Sequence, residues 1–308
     1  MLIMYPEMIS VIGSGSMFEF MKTKKTVEVN GDPELAEKRF REANEQMENE
    51  EEKKAERLYH EAVEIFSVLY DEDKERYRRE YTKCCMAFGE CLFGLEKYTE
   101  AFEVFELADR LFTGFPDVDS TPVREKRAEN YCNIGDSCFF RGKYEDALRN
   151  YDNALDIYEK LSNEFPEKYL SDIAYCYDCM AKGKSGLEDF PAAVEYYNRV
   201  IEICADLAAA SDQEKGDGAE ENRRSCYEDL AVAYSDIGYT YSCMSDLEET
   251  ERYYLMAADI FKKLAAEDRN DYIDFLMNQY ADLSALYADM DRPDLKKQYS
   301  ELSKKRDI

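Results

Sequence analysis

The chain has very little of the chemistry on which most enzyme and metal sites depend. His60 is the single histidine in 308 residues. The sequence contains no HExxH motif, no nucleophile elbow and no phosphate-binding P-loop. Cys176 and Cys179 have CxxC spacing, but no second CxxC follows at the distance of a zinc site. The sequence therefore predicts no catalytic residues, no metal and no cofactor, and it argues against an enzyme.

Positive charge is also scarce. The chain has 40 Lys and Arg residues against 68 Asp and Glu residues, which gives a formal net charge of −28. So acidic a surface repels nucleic-acid phosphates and anionic lipid headgroups, so we expect neither a nucleic-acid nor a membrane partner. Two interpretations of the charge stay open. It either keeps the outer surface solvated or also favours basic partners.

The N-terminal region lacks the features of a targeting signal. The stretch MLIMYPEMISVI is apolar, but Pro6 and Glu7 interrupt it and no basic segment precedes it. It is also too short to span a bilayer. Because residues 1–32 do not share the pattern of the rest of the chain, we predict an N-terminal extension, either irregular or a short hairpin.

Cysteine, in contrast, is common for a chain without a secretory signal. Ten cysteines are present, and most of them, Cys243 included, lie in or beside apolar positions of predicted helices. Small thiols suit close helix packing, so a packing role is predicted for them. This cysteine usage is typical of the reducing cytoplasm, which is the predicted location.

The stretch from Tyr131 to Tyr158 has a regular pattern of two helices. Large and small apolar residues with helical spacing precede Gly142, which marks a turn. A second helical face follows, with small residues beside the aromatic Tyr151. Small residues such as Gly135 would let two helices approach closely. Neither predicted helix can bury its apolar face alone, so neighbouring copies are required.

Copies of this unit recur along the chain. The small residue of the first helix appears at Ala43, Gly89, Gly135, Ala181, Gly238 and Ser284. The intervals between these positions are 46, 46, 46, 57 and 46 residues. The aromatic residue of the second helix keeps the same register through five copies, and the long interval contains the acidic stretch SDQEKGDGAEEN. That stretch predicts an exposed loop.

The pattern resembles the tetratricopeptide (TPR) repeat, although a period of about 46 residues exceeds that family's usual length of about 34 residues. The resemblance implies an all-α fold, a right-handed α-solenoid of about six helix-turn-helix repeats. Residues 33–308 would form this solenoid, with the repeats near 33–71, 80–115, 125–164, 169–209, 223–266 and 270–306. The sixth repeat has a polar second helix, which is typical of the end of such an array.

The resemblance also implies where a ligand would bind. In the TPR family, ligands usually contact the first helix of each repeat about three residues before and one residue after the small residue, and the turn that follows. The predicted peptide-binding groove consists of Glu90, Phe93, Asp136, Phe139, Phe140, Tyr175, Asp178, Lys182 and Tyr239. This row is acidic and aromatic. It could bind Lys or Arg through ion pairs and cation–π contacts worth about 0.5–2 kcal/mol each, or its carboxylates could serve only to solvate the inner face.

We therefore expect a protein- or peptide-binding scaffold that uses the groove for basic or amphipathic segments. The alternative is a peptide-responsive regulatory sensor that acts through a separate effector chain. Sensors of that kind usually carry an output domain, and residues 1–32 are too few and too irregular to form one.

Overall fold

The computed structural model describes residues 31–213, 215–216 and 218–305, and all regular secondary structure in these ranges is α-helical. The predicted all-α fold is therefore confirmed. In the first unit of the chain, Met1–Phe115, the helices are α1 (Pro33–Glu48), α2 (Glu52–Glu72), α3 (Lys74–Gly94) and α4 (Tyr98–Phe112). In the second unit, Pro116–Ile308, they are α5 (Thr121–Phe140), α6 (Tyr144–Glu164), α7 (Leu170–Gly186), α8 (Phe190–Ser211), α9 (Ala219–Cys243), α10 (Leu247–Glu267), α11 (Arg269–Asp289) and α12 (Pro293–Leu302). Residues 1–30, most of the predicted N-terminal extension, lie outside the described residues.

The helices of each unit pack in chain order, each one against the next. They form two pairs in the first unit and four in the second, which is the helix-pair packing of an α-solenoid. We call the odd-numbered helices the A helices and the even-numbered ones the B helices. Long helices accommodate the long period, since α9 has 25 residues and α8 has 22.

Each turn from an A helix to its B helix has one residue in the left-handed conformation. These residues are Glu50, Glu96, Gly142, Glu188, Ser245 and Asp291, with φ between 53° and 69°. The backbone N–H of the residue that follows each of them donates to a carbonyl five residues earlier, at 2.8–3.0 Å. This hydrogen bond ends a helix in the Schellman manner. The left-handed residues recur at the intervals found for the small residues, so the backbone repeats in the predicted register.

Close contact between the paired helices depends on the small residue of the A helix. A Cβ atom added to Gly89 would lie 2.5 Å from a ring carbon of Phe105, and one added to Gly238 would lie 2.6 Å from the ring of Tyr254. Real Cβ atoms do not approach other atoms this closely. The aromatic ring of the B helix therefore packs directly on the backbone of its A helix, in both units.

The cysteines mostly pack inside the helix array, as predicted. Eight of the ten are buried, and Cys226 is half-buried. The prediction was wrong for Cys243, which is exposed at the last residue of α9. Some of its sequence neighbours are apolar, but a residue at the end of a helix can lie on the apolar face and still be exposed.

Candidate functional site

The predicted groove residues of the second unit lie on three A helices: Asp136 and its neighbours on α5, Tyr175 to Lys182 on α7, and Tyr239 on α9. Glu90 and Phe93 belong to α3 of the first unit and are described for that unit alone. Glu90 is exposed, and the Phe93 ring packs 5.2 Å from the ring of Tyr98.

Asp136 accepts two hydrogen bonds from within the fold. Its Oδ1 accepts from the phenol of Tyr151 on α6, and its Oδ2 accepts from the phenol of Tyr175 on α7, each at 2.8 Å. Burial raises the pKa of Asp136, the two phenols act to lower it, and the net direction is upward. The carboxylate thus joins three helices, and both of its oxygens already have a donor.

Lys182 forms a second internal link, between α7 and α9. Its Nζ lies 2.7 Å from Oδ2 of Asp178 and 3.4 Å from Oδ2 of Asp236. The longer contact is an ion pair without an aligned hydrogen bond, so Asp236 Oδ2 is buried without a donor. Burial acts to lower the pKa of Lys182, but the two carboxylates outweigh it and the net direction is upward. Asp178 therefore has a counter-charge within the fold, which it shares with Asp236.

The aromatic groove residues differ in exposure. Phe139 is half-buried, with ring centroids 5.3 Å from Tyr144 and 5.6 Å from Phe140. Phe140 is 56% exposed and Tyr239 is 63% exposed, which leaves their rings open to contact. Tyr175 is 44% exposed, although its hydroxyl is held by Asp136.

A cavity of about 280 Å³ opens between the A helices α7 and α9, against the B helix α8. It is lined by Ser171, Ala174, Tyr175 and Asp178 of α7, by Val200, Cys204 and Leu207 of α8, and by Glu228, Asp229, Val232 and Ala233 of α9. Apolar side chains form most of this wall, and its polar groups are three carboxylates, the phenol of Tyr175, the hydroxyl of Ser171 and the thiol of Cys204. No Lys or Arg belongs to the lining.

The three carboxylates of the cavity have different surroundings. Asp178 has its ion pair with Lys182, and Glu228 lies near the phenol of Tyr272, whose pKa is raised by burial and by this carboxylate. Asp229 has neither an ion pair nor a hydrogen-bond donor among the described residues. Asp229 is exposed in part to solvent. The burial of the rest of the residue is the main reason that its pKa is raised, and Glu228 and Asp178 raise it further. The cavity thus holds negative charge that the fold leaves uncompensated.

The described residues show no arrangement of three or more His, Cys, Asp or Glu side chains that could hold a metal ion. None of the helices in the described ranges combines the length and the apolar character needed to cross a membrane.

Several solved structures share this architecture. BtubC (BKLC) from P. vanneervenii is 15% identical with a TM-score of 0.56, and the match covers 88% of this chain and 90% of that one. The apo form of RapI is 13% identical with a TM-score of 0.57, covering 87% and 75%. The Q17M form of a putative kinesin light chain with nearly identical TPR-like repeats, from Podosopora anserina, is 14% identical with a TM-score of 0.50, covering 76% and 96%.

The chain has the fold of a TPR-repeat protein. No protein-family model matches the sequence, and no curated protein matches it. The TPR likeness therefore concerns architecture alone.

The TPR-based prediction included Tyr175 and Asp178 but omitted Glu228, Asp229 and Val232. The prediction included Tyr175, six residues before Ala181, but did not include Val232 at the same offset before Gly238. Glu228 and Asp229 lie ten and nine residues before Gly238, farther from the small residue than any position that it included on the helix. In a 25-residue helix the groove-side face continues for about two more turns toward the N-terminus. Extending that face by steps of three and four residues would have reached Val232 and Glu228.

Proposed function

We propose that the chain is a protein-binding scaffold that holds a basic or amphipathic segment of a partner against the A helices of the second unit. The observation that carries this proposal is the α7–α9 cavity. Among the described residues, only one of its three carboxylates, Asp178, has a cation, Lys182, which it shares with Asp236 outside the cavity. Asp229 is exposed in part to solvent, and a positive charge that approaches it would offset the unfavourable effects of its partial burial and of the nearby Glu228 and Asp178. A bound cation would therefore relieve a cost that the free protein carries.

The overall charge supports the same kind of partner. A net charge of −28 raises the local concentration of basic ligands and speeds their association at low ionic strength. It disfavours nucleic acids and anionic membranes, which we do not propose as partners. The exposed rings of Phe140 and Tyr239 lie on the A helices α5 and α9 and could contact the apolar side of an amphipathic segment.

We place this activity in the cytoplasm. Ten cysteines in one chain, eight of them buried as free thiols, are typical of a reducing compartment.

Fluorescence anisotropy with the full chain tests the proposal. The probe is a labelled amphipathic peptide with three basic residues. The control peptide is the same sequence with the basic residues replaced by glutamine. We expect saturable binding of the basic peptide that weakens between 50 mM and 300 mM salt, because exposed charges are screened. We expect Asp229→Asn to weaken it at least threefold.

The control variant is Asp152→Asn, which makes the same charge change at an exposed position of α6 outside the cavity. It should bind like the wild type. Equal affinity for the basic and the glutamine peptide, or no binding of either, would refute the proposal.

A further inference from the structure

The α7–α9 cavity combines carboxylates with aromatic and apolar side chains. This combination would attract positive charge and would also favour one kind of basic side chain over another. We infer that the cavity takes one arginine side chain of the partner segment, with Asp229 as the carboxylate that pairs with the guanidinium and Tyr175 as the aromatic wall. This inference rests on the proposed function, because it identifies the anchor residue of the same binding face.

The charge of the cavity indicates where the cation would be bound. Asp178 already pairs with Lys182 at 2.7 Å, so it adds to the negative field without lacking a partner. Asp229 lies on the facing helix, α9, and no described residue pairs with it. An incoming cation therefore gains most at Asp229, where it supplies the missing counter-charge.

The apolar part of the cavity fits the stem of a long side chain. Val200 and Leu207 of α8 and Val232 of α9 belong to the wall of a space of about 280 Å³. Long basic side chains bury their methylene groups along such surfaces while the charged head reaches a polar group. A terminal amine on a short stem, or a bare metal ion, would leave this wall uncovered.

The Tyr175 ring is held in place before a ligand arrives. Its hydroxyl donates to Asp136 Oδ2 at 2.8 Å, and its ring lines the cavity. A ring fixed at one end loses little freedom when a ligand binds against it. Asp136 thus acts as a positioning residue that fixes the aromatic wall from outside the cavity.

An unpaired carboxylate, an apolar wall and a fixed aromatic ring together favour a guanidinium over an ammonium group. Guanidinium is planar, stacks on aromatic faces and is less strongly hydrated, so it enters a partly apolar cavity at a lower cost. It also has five N–H donors for a cavity whose lining includes three carboxylates, whereas an ammonium is a compact point charge.

The test uses three labelled peptides that differ at one central residue, which is arginine, lysine or citrulline. Two flanking lysines keep all three peptides basic. Citrulline has nearly the shape of arginine but is neutral, so it separates charge from fit. With the full-length wild type, we expect the arginine peptide to bind at least fivefold more tightly than the lysine peptide. We expect it to bind at least tenfold more tightly than the citrulline peptide.

Two variants locate the effect. Asp229→Asn should reduce the preference for arginine over citrulline to less than threefold, while Asp152→Asn should leave it unchanged. Tyr175→Leu should reduce the preference for arginine over lysine, because it removes the stacking surface and keeps the carboxylates. Circular dichroism melting confirms that each variant is folded before its affinities are compared.

The outcomes separate this inference from the proposed function. If all three peptides bind equally, or if Asp229→Asn leaves the preference for arginine intact, the arginine assignment is overturned and the scaffold proposal stands. If none of the three basic peptides binds, the scaffold proposal itself fails. Selective arginine binding that is lost in Asp229→Asn supports both.

Discussion

The backbone of Gly135 lies against the ring of Tyr151, so closely that a Cβ atom at Gly135 would be 2.4 Å from Tyr151 Cε1. The same phenol donates to Asp136, the next residue of α5, at 2.8 Å. One tyrosine of the B helix therefore packs on the small residue of the A helix and also bonds to the groove position beside it. Through Asp136, this contact reaches Tyr175 and the wall of the cavity.

Gly135→Ala should lower the free energy of unfolding by about 1–3 kcal/mol, because the added methyl group forces the Tyr151 ring out of its position. Gly94→Ala is a suitable control. A Cβ at Gly94 would meet only the Glu52 side chain, at 3.5 Å and beyond. The control should be neutral or slightly stabilising, since alanine favours helix over glycine. Urea denaturation measures both, and equal effects would contradict the packing argument.

The left-handed turn positions give a second prediction. Gly142 has φ of 69°, and alanine is strained there, so Gly142→Ala should destabilise the protein by about 1 kcal/mol. Glu188 has φ of 60° at the corresponding turn. Glu188→Gly should relieve the strain, and its stability should be equal to or up to about 1 kcal/mol above that of the wild type.

Thermal and urea unfolding of the two turn variants measure these changes. A loss of stability in Glu188→Gly as large as the loss in Gly142→Ala would show that backbone conformation does not govern this turn.

Lys182 lies between two carboxylates, and a third prediction concerns its removal. Lys182→Met keeps the aliphatic stem but leaves Asp178 and Asp236 without a cation, so we expect a loss of about 1–3 kcal/mol. The double variant Lys182→Met/Asp236→Asn should recover part of that loss, since one of the two like charges is gone. Lys160→Met, at an exposed ion pair on α6, should stay within about 0.5 kcal/mol of the wild type. If Lys182→Met is as mild as Lys160→Met, the link between α7 and α9 is energetically unimportant.

A fourth prediction concerns pH. Burial, with Glu228 and Asp178 nearby, raises the pKa of Asp229 above its usual 3.8. The folded state therefore holds this proton more tightly than the unfolded chain. The contribution of this proton to the free energy of unfolding is fully present below about pH 3.8, and it is lost as the pH rises through the raised pKa of the folded state. Asp229→Asn should stabilise the protein at pH 7.5 and flatten the change in urea midpoint between pH 7.5 and pH 4.5.

The variant Asp152→Asn, outside the cavity, should leave the pH dependence of the wild type unchanged. A wild-type and an Asp229→Asn profile that run parallel from pH 4.5 to pH 7.5 would rule out a contribution from Asp229 ionisation. If Asp229 acts as proposed, Asp229→Asn should raise the free energy of unfolding at pH 7.5 and lower the affinity for the basic peptide. Both effects have one cause, because the unpaired carboxylate weakens the free protein and attracts the ligand.

Local pattern was enough to predict the helices and their register. Gly89, Gly135 and Gly238 each pack against an aromatic residue of the helix that follows. Each of these contacts joins the two helices of a single pair. The fold follows from such short-range patterns, because each pair repeats the same packing. The prediction of Tyr175 and Asp178 as groove residues depended on the same register, and both line the cavity.

The sequence by itself thus determined the helical repeats, their period and the acidic character of the A-helix face. Only the tertiary structure decided which carboxylates are satisfied. The Tyr175 phenol reaches Asp136 from 39 residues away, and Lys182 reaches Asp236 on another A helix. Asp229 has no such partner among the described residues. Counter-charges come from helices brought together by packing, so they cannot be found from the spacing along any one helix.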